Sequence, residues 1–172
     1  WNNKYEGKIT MTRILEKSSN VGMVYIGSKL GQKNVLKYLD ELGLGKATGI
    51  DLQGESTSYL RDLWTEIDYA TVTFCQGILV TPMQMVRAFS SVINGGNLMR
   101  PYIVKAIKNE NSTQLVKPKL DKKIYSEKTS EIMRRMLVST VEHGEYKWVK
   151  PEGYRIGGKT GTAQIAVGGR YD

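Results

Sequence analysis

The 172-residue sequence predicts a mixed α/β (α+β) domain. Its first part carries apolar residues at helical spacing between capping residues, whereas strand-like and helix-like segments alternate in the remainder. A glycine-rich segment near the end, Gly157 to Thr162, leads into an alternating run with β-branched residues. Because no internal repeat or low-complexity tract interrupts this order, we expect one mixed domain.

Two helices are predicted on either side of Ser18-Ser19-Asn20. The first runs from Thr10 to Lys17, and the second runs from Val21 to Leu30 and is closed by Gly31. Serine and asparagine are preferred at helix N-caps, because their side chains accept hydrogen bonds from free N–H groups of the first turn. Capping alone would explain the three residues, but a turn between helices can also direct a side chain into a cleft.

A third helix is predicted from Val35 to Leu42, with Asn34 as its cap and Gly43 after its end. The following loop is expected to contain a short strand-like run at Gly49 to Leu52. Only four residues form this run, so any strand there is expected to be short.

A helix start is predicted at Thr81, which acts as the cap, with Pro82 at the first helical position. Gln84 can complete a capping box, because its side chain reaches back to the N–H of the cap residue. The helix is expected to continue through Ile93 and to stop at Asn94-Gly95-Gly96.

A strand is expected from Pro101 to Lys108, followed by a turn at Asn109 to Ser112. Ser126 is then predicted to cap a helix that reaches about His143 and ends at Gly144. A positively charged histidine at that end would be stabilised by the helix dipole. A serine–histidine–aspartate triad is the alternative role of the histidine.

The composition is that of a globular domain with a basic surface. Hydrophobic residues make up 40%, charged residues 24%, and the net charge is +8. No apolar run is long enough to span a membrane. The lysines are scattered without interleaved aromatic residues, so we expect no nucleic-acid site. With one cysteine, Cys75, and one histidine, we expect no metal site and no cofactor.

The glycine-rich segment fits two chemistries. The eight residues that begin at Gly153 satisfy the P-loop pattern G-x-x-x-x-G-K-[ST]. Alternatively, residues 159–167 form a strand whose start lines a cleft. Lys159 would then supply a point charge, Thr160 and Thr162 would supply hydroxyls, and the glycine between them would admit a ligand to the backbone.

The sequence context favours the cleft. A P-loop requires a buried strand before it and a helix after it. Residues 147–152 are charged and contain a proline, which is typical of a connector. The residues after Thr160 alternate as a strand does. A glycine-rich turn before an ordinary edge strand is the third alternative.

Together, Ser18-Ser19-Asn20 and Lys159-Thr160-Gly161 resemble the S-x-N and K-T-G motifs of the penicillin-recognising serine acyltransferases, and within them of the class B penicillin-binding proteins. Further similar segments are Val21-Gly22-Met23, Thr48 to Leu52, Gln76-Gly77, Val80 to Gln84, Asn94-Gly95-Gly96 and Gly153 to Gln164. The resemblance implies a β-lactamase/transpeptidase-like fold, in which helices flank an antiparallel sheet beside a helical subdomain. Cys75 stands where the family commonly has glycine, which we interpret as a local packing change.

The third motif of that family, S-x-x-K, is absent. None of the eleven serines has a lysine three residues on. In the family this motif precedes S-x-N, so the resemblance implies a nucleophile upstream of Trp1 and final strands after Asp172. Residues 1–172 are therefore expected to be a partial penicillin-binding transpeptidase domain, inactive and poorly folded alone.

The resemblance implies that the parent is a serine-type D-Ala-D-Ala transpeptidase that cross-links peptidoglycan stem peptides and is acylated by β-lactams. Catalytic roles fall to Ser18, which would relay a proton to the leaving nitrogen, to Asn20, which would bind a substrate amide, and to Lys159. Substrate binding falls to Thr160, Gly161, Thr162 and Gln164. The N–H of Thr162 would supply one donor of the oxyanion hole.

The same resemblance implies partners and a location. It implies stem peptides and β-lactams as ligands, a glycosyltransferase of the cell-wall machinery as partner, and a membrane anchor in the parent at the extracytoplasmic face of a bacterial membrane. A non-catalytic β-lactam sensor, or a scaffold of the division or elongation machinery, is the alternative function.

Overall fold

The structure is a computed structural model that describes residues 6–145, 147–162, 166–167 and 170–171. The helices are Met11–Glu16 (α1), Asn20–Leu30 (α2), Gln32–Glu41 (α3), Glu66–Val72 (α4), Pro82–Ile93 (α5) and Glu127–His143 (α6), with a 3-10 turn at Lys147–Val149. The strands are Asn97–Arg100 (β1), Ala106–Asn109 (β2), Ser112–Leu115 (β3), Lys119–Lys123 (β4), Ala166–Val167 (β5) and Arg170–Tyr171 (β6). They pair antiparallel as β1–β4, β2–β3 and β5–β6. Helices combined with antiparallel pairs confirm the predicted α+β class.

The chain forms two compact units. The first holds the described residues of the ranges Trp1–Gln32, Thr65–Gly77 and Arg134–Asp172. The second holds Lys33–Trp64 and Ile78–Met133. Residues 127–133 of α6 thus belong to the second unit, and its remaining residues belong to the first.

In the first unit, α2 packs against both α1 and α4. Gly22 of α2 faces the buried Ile14 of α1, and a Cβ atom at this glycine would lie 2.8 Å from two atoms of the isoleucine side chain. A Cβ atom at Gly27, further along α2, would lie even closer to the side chain of Thr73, and the carbonyl of Gly27 accepts a hydrogen bond from the hydroxyl of Tyr69. The two glycines therefore allow close helix contacts on either side of α2.

In the second unit, α5 packs against β1 and buries Ala88 and Leu98. Arg87 of α5 donates to the carbonyl of Met99 at 3.1 Å and forms an ion pair with Asp121 of β4 at 2.7 Å. One side chain thus binds α5 to both strands of the β1–β4 pair.

The capping predictions for α5 and α6 are confirmed. Thr81 accepts a hydrogen bond from the N–H of Gln84 at 3.2 Å, and the Gln84 side chain accepts one from the N–H of Thr81 at 2.9 Å. Ser126 accepts a hydrogen bond from the N–H of Thr129 at 3.1 Å. The helices end at Ile93 and His143, as predicted.

The predicted start of the third helix is wrong. Helix α3 begins at Gln32, so Asn34 lies inside it. Gly31 ends α2 with a φ of 82°, and the chain enters α3 directly after it. The helix ends at Glu41, close to the predicted Leu42.

The predicted strand at Gly49 to Leu52 is absent from the described structure. The N–H of Gly49 donates to the carboxylate of Glu55 at 3.1 Å instead of to a neighbouring strand, and the N–H of the preceding Thr48 donates to the same carboxylate at 2.7 Å. The hydroxyl of Thr48 donates to the same carboxylate.

The strand predicted from Pro101 to Lys108 is also wrong over its first half, because β2 begins only at Ala106. The N–H groups of Ile103 and Val104 donate to the carboxylate of Asp51 at 2.7 and 2.8 Å. These two N–H groups therefore bind a side chain and not a neighbouring strand. The predicted turn at Asn109 to Ser112 is confirmed, since these residues are paired at the end of the β2–β3 hairpin.

Candidate active site

Ser18 lies at a strained turn that ends α1. Its N–H donates to the carbonyl of Leu15 at 3.1 Å, and the N–H of Ser19 donates to the carbonyl of Ile14 at 3.0 Å. These two bonds form a Schellman motif, in which the residue after the C-cap takes a left-handed conformation and is usually glycine. Here that residue is Ser18, with a φ of 49°. The strain of a non-glycine residue is thus placed directly at the predicted catalytic serine.

Ser19, rather than Ser18, caps the next helix. Its Oγ accepts a hydrogen bond from the N–H of Gly22 at 3.1 Å. Asn20 is the first residue of α2 and is exposed. Because the cap is supplied by the middle residue of the motif, the hydroxyl of Ser18 is not needed there.

Lys159 meets Ser18 within the first unit. Its ammonium nitrogen, Nζ, lies 2.8 Å from Ser18 Oγ and 3.1 Å from both the carbonyl and the hydroxyl oxygen of Thr160. An ammonium has three donors and no acceptor, so these contacts can use all three. Surrounding protein removes part of the water from the otherwise exposed side chain, and this desolvation lowers the pKa of Lys159 below its ordinary value.

The direction of these hydrogen bonds decides what the hydroxyls can do. Since Lys159 can only donate, the hydroxyl oxygens of Ser18 and Thr160 are acceptors towards it. Their own O–H protons are therefore available to a ligand. The cation and two O–H donors together suit an anionic group.

The segment after Lys159 differs from the predicted strand. Residues 159–162 are not in a strand, and the next described strand, β5, begins at Ala166. Thr160 and Thr162 are exposed, and a Cβ atom at Gly161 would meet no protein atom within 4 Å. The backbone at this glycine is therefore open to a ligand. Gln164 lies outside the described residues.

The P-loop alternative does not fit this geometry. No described helix starts at Lys159 or Thr160, and the element before Gly153 is a 3-10 turn rather than a strand. A P-loop places its phosphate at a helix N-terminus, which the described part of this segment does not provide.

The C-terminal turns of α6 hold the residues before Lys159, which the sequence analysis did not anticipate. The N–H of Gly158 donates to the carbonyl of Leu137 at 3.1 Å, and its carbonyl accepts from the hydroxyl of Thr140. The pair of glycines at Gly157 and Gly158 was the available signal, because adjacent glycines permit close backbone approach.

A second contact joins α6 to α1. Ser139 donates its hydroxyl proton to the carboxylate of Glu16 at 2.6 Å, and this hydrogen bond is the main cause that lowers the pKa of Glu16. Ser139 Oγ also lies 3.3 Å from Nδ1 of His143. The serine lies between the acid and the imidazole, whereas a catalytic triad requires the imidazole in the middle. The triad alternative for His143 is thus not supported.

The sequence matches the family "Penicillin binding protein transpeptidase domain" over residues 1–172. The chain belongs to this transpeptidase family. Stage V sporulation protein D of Bacillus subtilis is 41% identical to it over 176 residues, which cover 99% of this chain and 27% of the relative. The peptidoglycan D,D-transpeptidase FtsI homolog of Mesostigma viride is 33% identical over 91% of this chain and 29% of its own length.

The fold of the transpeptidase family is confirmed by solved structures. Penicillin-binding protein 3 of Mycobacterium tuberculosis, complexed with aztreonam, superposes with a TM-score of 0.85 at 30% identity, over 93% of this chain and 38% of that one. The chain spans about a quarter of the length of the curated relatives just named.

In this chain, the backbone at Cys75 has a conformation that suits glycine. Its φ is 68°, in the left-handed region, and the residue is exposed. An exposed side chain does not alter packing, so the local packing change expected from the sequence is not the explanation. The positive φ is the physical reason why glycine fits this position.

Among the described residues, no helix combines the length and the apolar character needed to cross a membrane.

Proposed function

We propose that the chain is part of a peptidoglycan D,D-transpeptidase that works through an acyl-serine intermediate. The observation that carries this proposal is the 2.8 Å contact between Lys159 and Ser18, which belong to the K-T-G and S-x-N motifs. The membership of the transpeptidase family supports it, as does the D,D-transpeptidase name of a relative.

The proposed substrate is a stem peptide that ends in D-Ala-D-Ala, and β-lactams would occupy the same site. The terminal carboxylate would be held by the hydroxyl protons of Thr160 and Thr162, and Lys159 would add its charge. Gly161 would let the substrate approach the backbone, consistent with the open space beside it. Asn20 would bind a side-chain amide of the substrate, and Gln164 would contact its backbone.

The proposed chemistry is acyl transfer in two steps. The oxygen of a serine outside these 172 residues attacks the penultimate carbonyl, and the N–H of Thr162 donates to the oxyanion that forms. The C–N bond to the last D-alanine breaks as the hydroxyl of Ser18 gives its proton to the leaving nitrogen and takes up the proton lost by the attacking serine. The amine of a neighbouring stem peptide then attacks the acyl-enzyme carbonyl, and the ester C–O bond breaks. The proton lost by this amine returns through Ser18 to the serine oxygen, which restores the serine and completes the cross-link.

The setting of the parent is also a proposal. A transpeptidase of peptidoglycan works where its substrate is, so we place the parent at the extracytoplasmic face of a bacterial membrane, held by an anchor outside this chain. A glycosyltransferase that makes the glycan strands is its proposed partner, since cross-linking requires nascent strands.

Covalent labelling by a fluorescent penicillin tests the proposal in the full-length protein. We expect the wild-type protein to form a stable labelled adduct and the Lys159→Ala variant to form it at least roughly a hundredfold more slowly, because a charge that orients and stabilises the anion is lost. Lys128→Ala, which removes an exposed lysine of α6, is the matched control and should label at the wild-type rate.

Absence of labelling in the wild-type protein would contradict the proposal and favour a non-catalytic scaffold. Undiminished labelling of Lys159→Ala would remove the lysine from the mechanism.

A further inference from the structure

The last turns of helix α6 contact the chain next to both motifs of the candidate site. Gly158 directly precedes Lys159, and Glu16 lies two residues before Ser18. Both contact residues 137–144, which we name the α6 end. All of these residues belong to the first unit.

The first contact fixes the peptide that leads into Lys159. Gly158 donates its N–H to the carbonyl of Leu137 at 3.1 Å, and its carbonyl accepts the hydroxyl proton of Thr140. That hydroxyl also lies 2.7 Å from the carbonyl of Leu137, and Thr140 is only 8% exposed. Because the carbonyl of Gly158 belongs to the peptide bond with Lys159, its orientation sets where the lysine side chain begins.

Shape reinforces these hydrogen bonds. A Cβ atom at Gly157 would lie 3.2 Å from the backbone nitrogen of Val138 and 3.3 Å from the carbonyl carbon of Leu137. The chain before Lys159 therefore lies directly on the backbone of the helix, which leaves little room for it to shift.

The second contact fixes the end of α1. Ser139 donates its hydroxyl proton to the carboxylate of Glu16 at 2.6 Å, and Arg13 donates to the other oxygen of that carboxylate at 3.2 Å. A Cβ atom at Gly144 would lie 3.0 Å from the carbonyl oxygen of Glu16. The chain then enters the turn that presents Ser18.

Two adjacent hydroxyls of one helix thus hold two segments that are remote in sequence. We infer that the α6 end sets the distance between Ser18 and Lys159, with Ser139 and Thr140 as positioning residues of the reaction proposed above, on which this inference rests. Neither residue belongs to the S-x-N or K-T-G motif. Their effect is transmitted through the backbone at Glu16 and Gly158.

Removal of the Thr140 hydroxyl in the full-length protein provides the main test. Thr140→Val keeps the size and branching of the side chain but cannot donate to Gly158. We expect the rate constant of acylation by a fluorescent penicillin to fall roughly tenfold or more, because small displacements of reacting groups cost that much. The Kd of the initial non-covalent complex should change little. Thr140→Ser retains the hydroxyl and should restore most of the rate.

A double-mutant cycle separates positioning from a general structural role. If Thr140 acts through Lys159, Thr140→Val should lower the residual acylation rate of Lys159→Ala by no more than about twofold. A loss of the same size in both backgrounds would overturn the inference. So would a Thr140→Val protein that labels at the wild-type rate.

A structural readout keeps the inference independent of activity. In a crystal structure of the Thr140→Val protein, the distance from Ser18 Oγ to Lys159 Nζ should exceed the present 2.8 Å by at least about 0.5 Å. An unchanged distance would overturn the inference.

If the wild-type protein failed to label, the transpeptidase proposal would fall, and this distance would still decide the role of the α6 end. If Thr140→Val failed to fold, Ser139→Ala, at a half-buried position, would take its place in both measurements.

Discussion

Lys159 Nζ lies 2.8 Å from Ser18 Oγ, although the two residues are 141 positions apart in the sequence. The ammonium donates and the hydroxyl oxygen accepts, so the proton of the serine points away from the lysine. The contact joins the turn between α1 and α2 to the glycine-rich segment. It places a cation next to a hydroxyl group that can donate its proton. An acyl-transfer site needs a cation near the carboxylate of its substrate and a proton donor near the leaving amine.

The lowered pKa of Lys159 predicts a pH dependence of acylation. Desolvation disfavours the ammonium, so the lysine loses its charge at a lower pH than its ordinary pKa of 10.5. Acylation by an anionic penicillin should therefore be greatest while the lysine is charged and should fall as the pH rises through the lowered pKa. The measurement is the rate constant of penicillin labelling of the full-length protein from neutral to alkaline pH.

Lys159→Arg is the control for this pH profile. A guanidinium stays charged at alkaline pH, so the decline should move to higher pH even if the maximal rate is lower. A variant whose decline occurs at the same pH as in the wild-type protein would show that another group causes it.

A second prediction separates stability from activity at Ser18. Its φ of 49° favours glycine, so Ser18→Gly should raise the free energy of local opening by about 1 kcal/mol. The same substitution removes the proposed proton donor, and acylation should fall. Hydrogen exchange of the α1 and α2 amides measures the first effect, and penicillin labelling measures the second.

Two alanine variants sharpen the test at this turn. Ser18→Ala removes the hydroxyl but keeps a Cβ atom, so acylation should fall without the gain in stability. Ser19→Ala removes the cap of α2 and should lower local stability by about 1 kcal/mol. A Ser18→Gly protein that is less stable than Ser18→Ala would contradict the interpretation of the turn as strained.

Local signals in the sequence were sufficient for several elements. The capping box of Thr81 and Gln84 and the cap at Ser126 depend on residues three positions apart. Both partners of each hydrogen bond can therefore be recognised in a short stretch of sequence. The K-T-G and S-x-N motifs could be recognised for the same reason. Their pairing as one site was inferred from the family resemblance and not from any local pattern.

Contacts between residues remote in sequence could not be predicted. The strand expected from Pro101 fails because Asp51, some fifty residues away, binds the N–H groups of Ile103 and Val104. The contact of Ser139 with Glu16 spans 123 positions and involves residue types that are common on helix surfaces. No periodicity or motif distinguishes such a serine from a solvated one, so this contact of the α6 end could be found only in the folded chain.

The exposed cysteine at a positive φ gives a third prediction. Cys75→Gly should raise the stability of the full-length protein by about 0.5 to 1 kcal/mol, since relief of left-handed strain exceeds the added entropy of the unfolded glycine. Cys75→Ala keeps the strain and serves as the matched control. Hydrogen exchange of the α4 amides in both variants provides the comparison, and equal stability of the two would contradict the backbone explanation.

A fourth prediction concerns Gln84, which is 1% exposed and lies in the first turn of α5. Its Oε1 accepts hydrogen bonds from the N–H of Thr81 at 2.9 Å and from the hydroxyl of Ser58 at 2.8 Å. Its Nε2 donates to the carbonyl of Lys46 at 2.7 Å. Gln84→Ala would leave these part-buried groups without their partner, so the free energy of opening of α5 should fall by about 2 to 3 kcal/mol.

Hydrogen exchange of the α5 amides in the full-length protein measures the effect of Gln84→Ala, because exchange reports local opening without requiring two-state unfolding of a long chain. Gln114→Ala, at an exposed glutamine of β3, is the matched control and should change stability by no more than about 0.5 kcal/mol. A Gln84→Ala protein as stable as the Gln114 control would contradict the assignment of this glutamine as the buried link between the α5 cap and the loop at Lys46.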